Sequence, residues 1–258
     1  MKIANTEEAE TIFDGISYSK GSAVLKQLAF AIGEDPFKEG VQNYFAKYSW
    51  KNTIFDNLIE SLQEVLDKTS DRFDLRTWAD SWVLTAGLNE LEVTFDKTEE
   101  GNITNFVVGQ TAALAEFPEL RHHKINVHFV NSDHKVFHKA TIETARGEMI
   151  NSYSDFDDLK DVQCVILNAD DGGYCKTRFD SISREYLKEN LNNLEDSLTR
   201  LICWRSLWDS VRDQKISAVE FLDAIVKHIP GETSTTINSE VIAFTKTAIE
   251  SYCPYGEW

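Results

Sequence analysis

Phe13-Asp14-Gly15-Ile16-Ser17-Tyr18-Ser19-Lys20-Gly21-Ser22 stands at the head of the first amphipathic helix of this chain. Reading outward, Ile16, Val24, Leu25, Leu28, Ala29 and Ile32 recur at helical spacing, and Gly33 supplies a stop. Asp35-Pro36 reads as an N-cap followed by proline at the first helical position, with Phe37, Val41, Tyr44 and Phe45 as the apolar stripe behind it. Thr53-Ile54-Phe55-Asp56 reads as a capping box with Asp in place of Glu. Behind it Phe55, Leu58, Ile59, Leu62, Val65 and Leu66 recur at intervals of three and four. Asp74 opens another helix, whose inward face is Leu75, Trp78 and Trp82 and which ends near Gly87. Residues 12–87 are thus expected to be helical. On these grounds alone, Tyr18 is a packing residue at a helix start.

The period changes after Gly87. Leu91, Val93 and Phe95 alternate with polar neighbours, as do Ile125, Val127 and Phe129. Ile103–Val108, Lys135–Ile142 and Val162–Leu167 are further short strand candidates, separated by Gly, Asn and Asp clusters. Such a series of short strands predicts a small β-sandwich; Gln110–Leu120 follows neither period. From about Tyr174 the chain is expected to return to helix. Leu194, Leu198, Leu201, Ile202, Leu207, Trp208 and Val211 make one stripe, and Ser217-Ala218-Val219-Glu220 is a capping box whose helix stops before Pro230. A last helix covers about Ser239–Tyr252. Runs of one element type followed by runs of another indicate separate modules.

Composition narrows the function classes. A content of 42% apolar and 11% aromatic residues supports packed cores rather than disorder. The net charge of −17 argues against nucleic acid and anionic membranes as partners, since both select Lys and Arg. No apolar run approaches the roughly 20 residues that span a bilayer, and Met1–Glu8 lacks the apolar core of a signal peptide. Cys164, Cys175, Cys203 and Cys253 form no C-x-x-C pair, and Cys203 reads as a buried thiol. A cytoplasmic setting is expected.

The stretch around Tyr18 resembles the segment that carries the transition-state tyrosine in M1-family zinc aminopeptidases. The match continues through Gly33-Glu34-Asp35-Pro36-Phe37-Lys38-Glu39-Gly40-Val41, Asn52-Thr53, and Trp78-Ala79-Asp80-Ser81-Trp82 with Thr85-Ala86-Gly87. Leu167-Asn168-Ala169-Asp170-Asp171, Glu195–Arg200 and Trp208-Asp209 resemble the aminopeptidase N branch of actinobacterial type. The resemblance implies three domains. Residues 1–88 would be the helical carboxyl-side end of a thermolysin-like catalytic domain, 89–172 a β-sandwich domain, and 173–258 the start of an α-helical carboxyl-terminal domain. It implies hydrolysis of amino-terminal residues from peptides, with the Tyr18 hydroxyl donating to the oxygen on which charge develops, and Lys20 and Gly21 as supports. Ser22 stands where the family usually has Ala. The H-E-x-x-H helix that holds zinc and supplies the base, and the G-A-M-E-N-type strand that grips the substrate's amino terminus, are both absent from the chain.

A carboxyl-side fragment is therefore expected, inactive alone and binding no zinc itself. The zinc and the peptide substrate would belong to the complete enzyme, and the missing amino-terminal half of the catalytic unit would be its partner. The ends fit this expectation: Met1 precedes the tyrosine segment by a few turns, and Tyr255-Gly256-Glu257-Trp258 stops among helices. A family-derived scaffold protein, or one half of a split enzyme, are the alternatives. The histidines read as structural. His134 and His138 have H-x-x-x-H spacing but fall in an expected strand, which holds them about 13 Å apart. His122-His123 and His128 lie in or beside another strand, and His228 in the last turn before Pro230. Asp170-Asp171-Gly172-Gly173 reads as a turn rather than a calcium loop.

Overall fold

Residues 6, 10, 16–69 and 73–253 are described by the computed structural model. They sort into two units: one runs to Ala86 and includes Gly172–Tyr174, the other comprises Gly87–Asp171 and the residues from Cys175 onward. Phe13–Gly15 of the opening stretch lie outside the described residues.

In the first unit, α1 (Gly21–Ile32), α2 (Glu34–Tyr48), α3 (Phe55–Leu66) and α4 (Leu75–Val83) carry the expected stripes. Val24, Leu28, Ile59, Leu62, Leu66, Leu75, Trp78 and Trp82 form the core, with Phe37 and Val41 packed on it. Asp74 caps α4, accepting from the Thr77 amide at 3.0 Å. Two expected caps shift. Gly33, at φ +93°, is the N-cap of α2, so Asp35 and Pro36 sit inside its first turn, where proline's missing N–H costs nothing. Ile54, not Thr53, precedes α3, and Asn57 Oδ1 accepts from its amide at 3.0 Å, while Thr53 Oγ1 is hydrogen-bonded to the Tyr44 hydroxyl. Leu25, Phe45 and Phe55, expected in the stripes, are exposed.

Gly40 lies where α2 meets α3. A Cβ there would fall 2.5 Å from Leu62 Cδ2 and 3.0 Å from Leu62 Cα. Helix propensity favours Ala over Gly by about 1 kcal/mol, but backbone overlap cannot be relieved by a rotamer change. Gly40→Ala is expected to destabilise by about 1–3 kcal/mol net, read as a lower denaturation midpoint at unchanged m; a raised midpoint would show that α2 can lift away freely.

In the second unit seven strands form two sheets, ordered β5-β2-β1-β7 and β4-β3-β6 among the described residues. The strands are β1 (Asn89–Lys97), β2 (Ile103–Ala112), β3 (His123–Val130), β4 (Val136–Thr144), β5 (Ile150–Ser152), β6 (Cys164–Leu167) and β7 (Lys176–Arg178). Leu91, Val93, Phe95, Phe106 and Val108 of one sheet face Ile125, Val127, Phe129 and Ile142 of the other across one core. Period-two alternation divides β6 between neighbours: Val165 and Leu167 enter this core, whereas Cys164 and Ile166 enter the core of the following helices.

Helix does not resume at Tyr174 as expected. Lys176–Arg178 is first a strand, parallel to β1, with Arg178 buried against Glu90 at 2.6 Å and against Asp213. Then come α5 (Ser181–Asn190), α6 (Ser197–Arg212), α7 (Ala218–His228) and α8 (Thr235–Ser251). α6 is buried on most sides, with Trp204 fully enclosed, rather than along one stripe; Leu198 is exposed and Leu194 precedes the helix. Ser217 caps α7 as expected, its Oγ accepting from the Glu220 amide at 3.1 Å. α8 begins four residues earlier than expected, capped by Ser234.

The unassigned segment Gln110–Leu120 closes β2 and then loops past a buried polar cluster. Asn89 Nδ2 donates to the Glu119 carbonyl at 2.7 Å, and Asn89 Oδ1 receives the Arg121 amide at 3.1 Å and His123 Nε2 at 3.0 Å. Burial, with His122 and Arg121 alongside, pushes His123 down to about 3. The native state therefore refuses a proton that the unfolded chain accepts below its ordinary value of 6.5. The stability this group contributes is complete above that value and is lost as pH falls toward the folded one, at up to about 1.4 kcal/mol per pH unit. His123→Gln is expected to flatten the pH dependence of the denaturation midpoint between about pH 6 and 4; an unchanged slope would assign the acid sensitivity to other groups.

Candidate active site

Tyr18 lies on a single π-helical turn, Ile16–Lys20, that runs directly into α1, since Lys20 already has helical backbone angles. π turns are rare and recur at functional sites. Here the Tyr18 residue is 69% exposed, ahead of a helix that buries Val24 and Leu28 in the core. Lys20 anchors the turn: its Nζ donates to the Thr85 carbonyl at 3.4 Å, just beyond α4. At Gly21, expected to permit close packing beside this turn, a Cβ meets nothing within 4 Å among the described residues. Ser22 is exposed and its Oγ donates to the Ser19 carbonyl at 3.4 Å, so the departure from Ala is accommodated at the surface.

Sequence reasoning missed Gln27. It is only 2% exposed on the inward face of α1, and its Oε1 accepts the Tyr174 amide at 2.6 Å across 147 residues of chain. Nothing local announces such a partner.

The zinc that the resemblance implies was tested against the residues present. Among the described residues no three His, Cys, Asp or Glu side chains converge on one point. His134 lies in the turn before β4 at φ +63°, not in the strand as expected, with Nδ1 2.8 Å from the Tyr186 hydroxyl. His138 sits on β4 beside Phe129 and Phe156. His122 meets Glu143 at 2.9 Å, His128 lies 3.4 Å from Asp170, and His228 Nε2 lies 2.9 Å from the Lys188 carbonyl. Each ring is thus engaged separately, and these residues do not fit a zinc site. Burial raises the thiols of Cys164 and Cys203 and pushes Cys175 up to about 12, which keeps them protonated and poorly nucleophilic. No helix among the described residues is long and apolar enough to cross a membrane.

Comparison with known proteins bears on the same segments. Residues 1–82 match the family model described as the peptidase family M1 domain, and residues 164–257 match that of the ERAP1-like C-terminal domain. Aminopeptidase N of Streptomyces lividans is 33% identical over 264 aligned residues, covering 97% of this chain and 29% of that protein. Aminopeptidase N of Homo sapiens is 34% identical over 36% of this chain and 10% of its own length, and aminopeptidase Ey of Gallus gallus 36% identical over 33% and 9%. The chain spans less than a third of the length of these relatives. The M1 model ends inside the helical unit that presents Tyr18, and the similarity to the Streptomyces lividans protein runs through strands and helices alike. The chain belongs to the M1 peptidase family, among relatives that bear the name aminopeptidase N.

Proposed function

We propose that this chain supplies the transition-state tyrosine and the carboxyl-side domains of a zinc metallo-aminopeptidase that removes amino-terminal residues from peptides. The observation that carries the reading is Tyr18, exposed on an anchored π turn inside the segment matching the M1 domain. A phenol keeps its proton at neutral pH and so donates a hydrogen bond. When a peptide carbonyl becomes tetrahedral, charge gathers on its oxygen, and a donor fixed in advance stabilises that state more than the planar one. Zinc ligands, the general base and the group that grips the substrate's amino terminus lie outside these residues, and so does the amino-terminal half of the catalytic unit. Phe45, Trp50, Ile54 and Leu84 are each exposed in the helical unit, and on this reading that half covers them.

On this reading residues 1–88 complete the thermolysin-like catalytic domain, 89–172 form the sandwich domain with Lys176–Arg178 adding its edge strand β7, and the helices that follow begin the helical carboxyl-terminal domain. The chain alone is inactive, and its four free thiols suit a reducing, cytoplasmic setting. The test is Tyr18→Phe in a polypeptide that joins this chain to an H-E-x-x-H-bearing portion. Peptide turnover must collapse while substrate binding holds. Turnover within threefold of the parent would exclude a catalytic Tyr18.

A further inference from the structure

The three residues Gly172–Tyr174 belong to the helical unit, although the residues on either side of them, Asp171 and Cys175, belong to the other. They lie against α1, the helix that begins where the Tyr18 turn ends. The Tyr174 amide donates to Gln27 Oε1 at 2.6 Å. A Cβ on Gly172 would come within 3.1–3.3 Å of the Phe30 ring, so this glycine allows the strap to lie flat on the helix. The Tyr174 ring packs 6.2 Å from Trp82 of α4, which in turn packs at a tilt 6.0 Å from Trp78. α1 is thus held in its middle by the strap, while the π turn that leads into it is held by the Lys20 bond to Thr85.

From these contacts we infer that Gln27 is a positioning residue for Tyr18, and that the Gly172–Tyr174 strap sets the tilt of the helix bearing it. The inference rests on the reading of Tyr18 as the transition-state donor for its functional meaning, though not for its mechanics. Gln27 lies nine residues from Tyr18, a lever of roughly 13 Å. A tilt of about 5° about Gln27 therefore displaces the tyrosine end by about 1 Å, a misplacement on the order of that which costs a hundredfold in rate. Gln27 is well suited to the role: its acceptor is buried, so its bond to a backbone amide is shielded from water. The strap is in turn a continuous piece of chain between β6 and β7, so the orientation of the tyrosine helix is set partly by residues about 150 positions away.

The experiment uses the 258-residue chain labelled with 3-fluorotyrosine and observed by 19F NMR. The Tyr18 line is assigned by its loss in Tyr18→Phe. Gln27→Met removes the acceptor at nearly constant volume, and Gly172→Ala presses the strap off Phe30 without touching Gln27. Both are expected to shift or broaden the Tyr18 line while the lines of Tyr153 and Tyr186, in the other unit, stay in place. A moved Tyr174 line with an unmoved Tyr18 line in either folded variant would overturn the coupling. This outcome is separate from the fate of the catalytic reading: an inert Tyr18→Phe in a turnover assay removes the catalytic role and leaves the mechanical link measurable.

Discussion

Tyr18→Phe in a polypeptide that also carries the metal-binding portion is expected to lower kcat several hundredfold and leave KM nearly unchanged. The magnitude follows from the size of the deleted interaction. Removing one preorganised donor to a developing oxyanion costs about 3–4 kcal/mol, and Phe keeps the ring and its packing, so only the hydroxyl is lost. Ground-state binding owes little to a bond formed mainly with the tetrahedral state, and the loss therefore falls on kcat. Exposure of the ring at 69% makes the substitution safe for the fold. An unchanged melting curve beside a collapsed kcat is the expected pair of results. A raised KM with intact kcat would instead make Tyr18 a binding residue.

The second large effect concerns the helical half of the second unit. Arg200 of α6 meets Glu232 in a bidentate pair, Nε to Oε2 and Nη2 to Oε1, both at 2.8 Å. Its remaining Nη1 donates to the carbonyls of Leu194 and Glu195 at 2.7 and 2.9 Å. Glu232 also receives the amides of Thr233 and Ser234, and its side chain is only 1% exposed. The pair thus ties the start of α6 to the connection between α7 and α8. Arg200→Ala would leave a buried carboxylate without its cation and is expected to cost about 3–5 kcal/mol. Arg200→Met combined with Glu232→Met should cost less than Arg200→Ala alone, because no charge is stranded. Denaturant melts of the three proteins decide it; equal losses would mean that water reaches the carboxylate. The Arg200 guanidinium holds Glu232 below the usual glutamate range. Its contribution is therefore present above the unfolded glutamate value and fades as pH drops through the folded one.

Much of this architecture is legible in the amino-acid order. The stripes of α1, α3 and α4, the Asp74 and Ser217 caps and the alternation of β1 and β3 follow from local periods, which short-range packing enforces. What escaped depends on distant partners. Lys176-Thr177-Arg178 has no apolar alternation, and it becomes a strand because β1 offers a ladder and Glu90 and Asp213 neutralise Arg178. Thr53 has the chemistry of a cap, but the Tyr44 hydroxyl claims it. At the candidate site, Tyr18 and Lys20 are proposed from their motif, whereas Gln27 has no motif because its partner is a backbone amide on a remote segment. Gly21 is expected to permit close packing beside the tyrosine turn, and among the described residues a Cβ there meets nothing within 4 Å.

The division of β6 between two cores has a consequence for anyone trimming the gene. An expression clone ending at residue 178, after β7, would carry Val130, Cys164 and Ile166 with their helical neighbours deleted. A sheet face that evolved as an inner wall would become an outer one, without the polar residues that outer faces carry. The product would be sticky, and its insolubility would say nothing about the sandwich core itself. Clones intended to yield the sandwich should therefore extend through α8, so that the second face of the sheet remains covered.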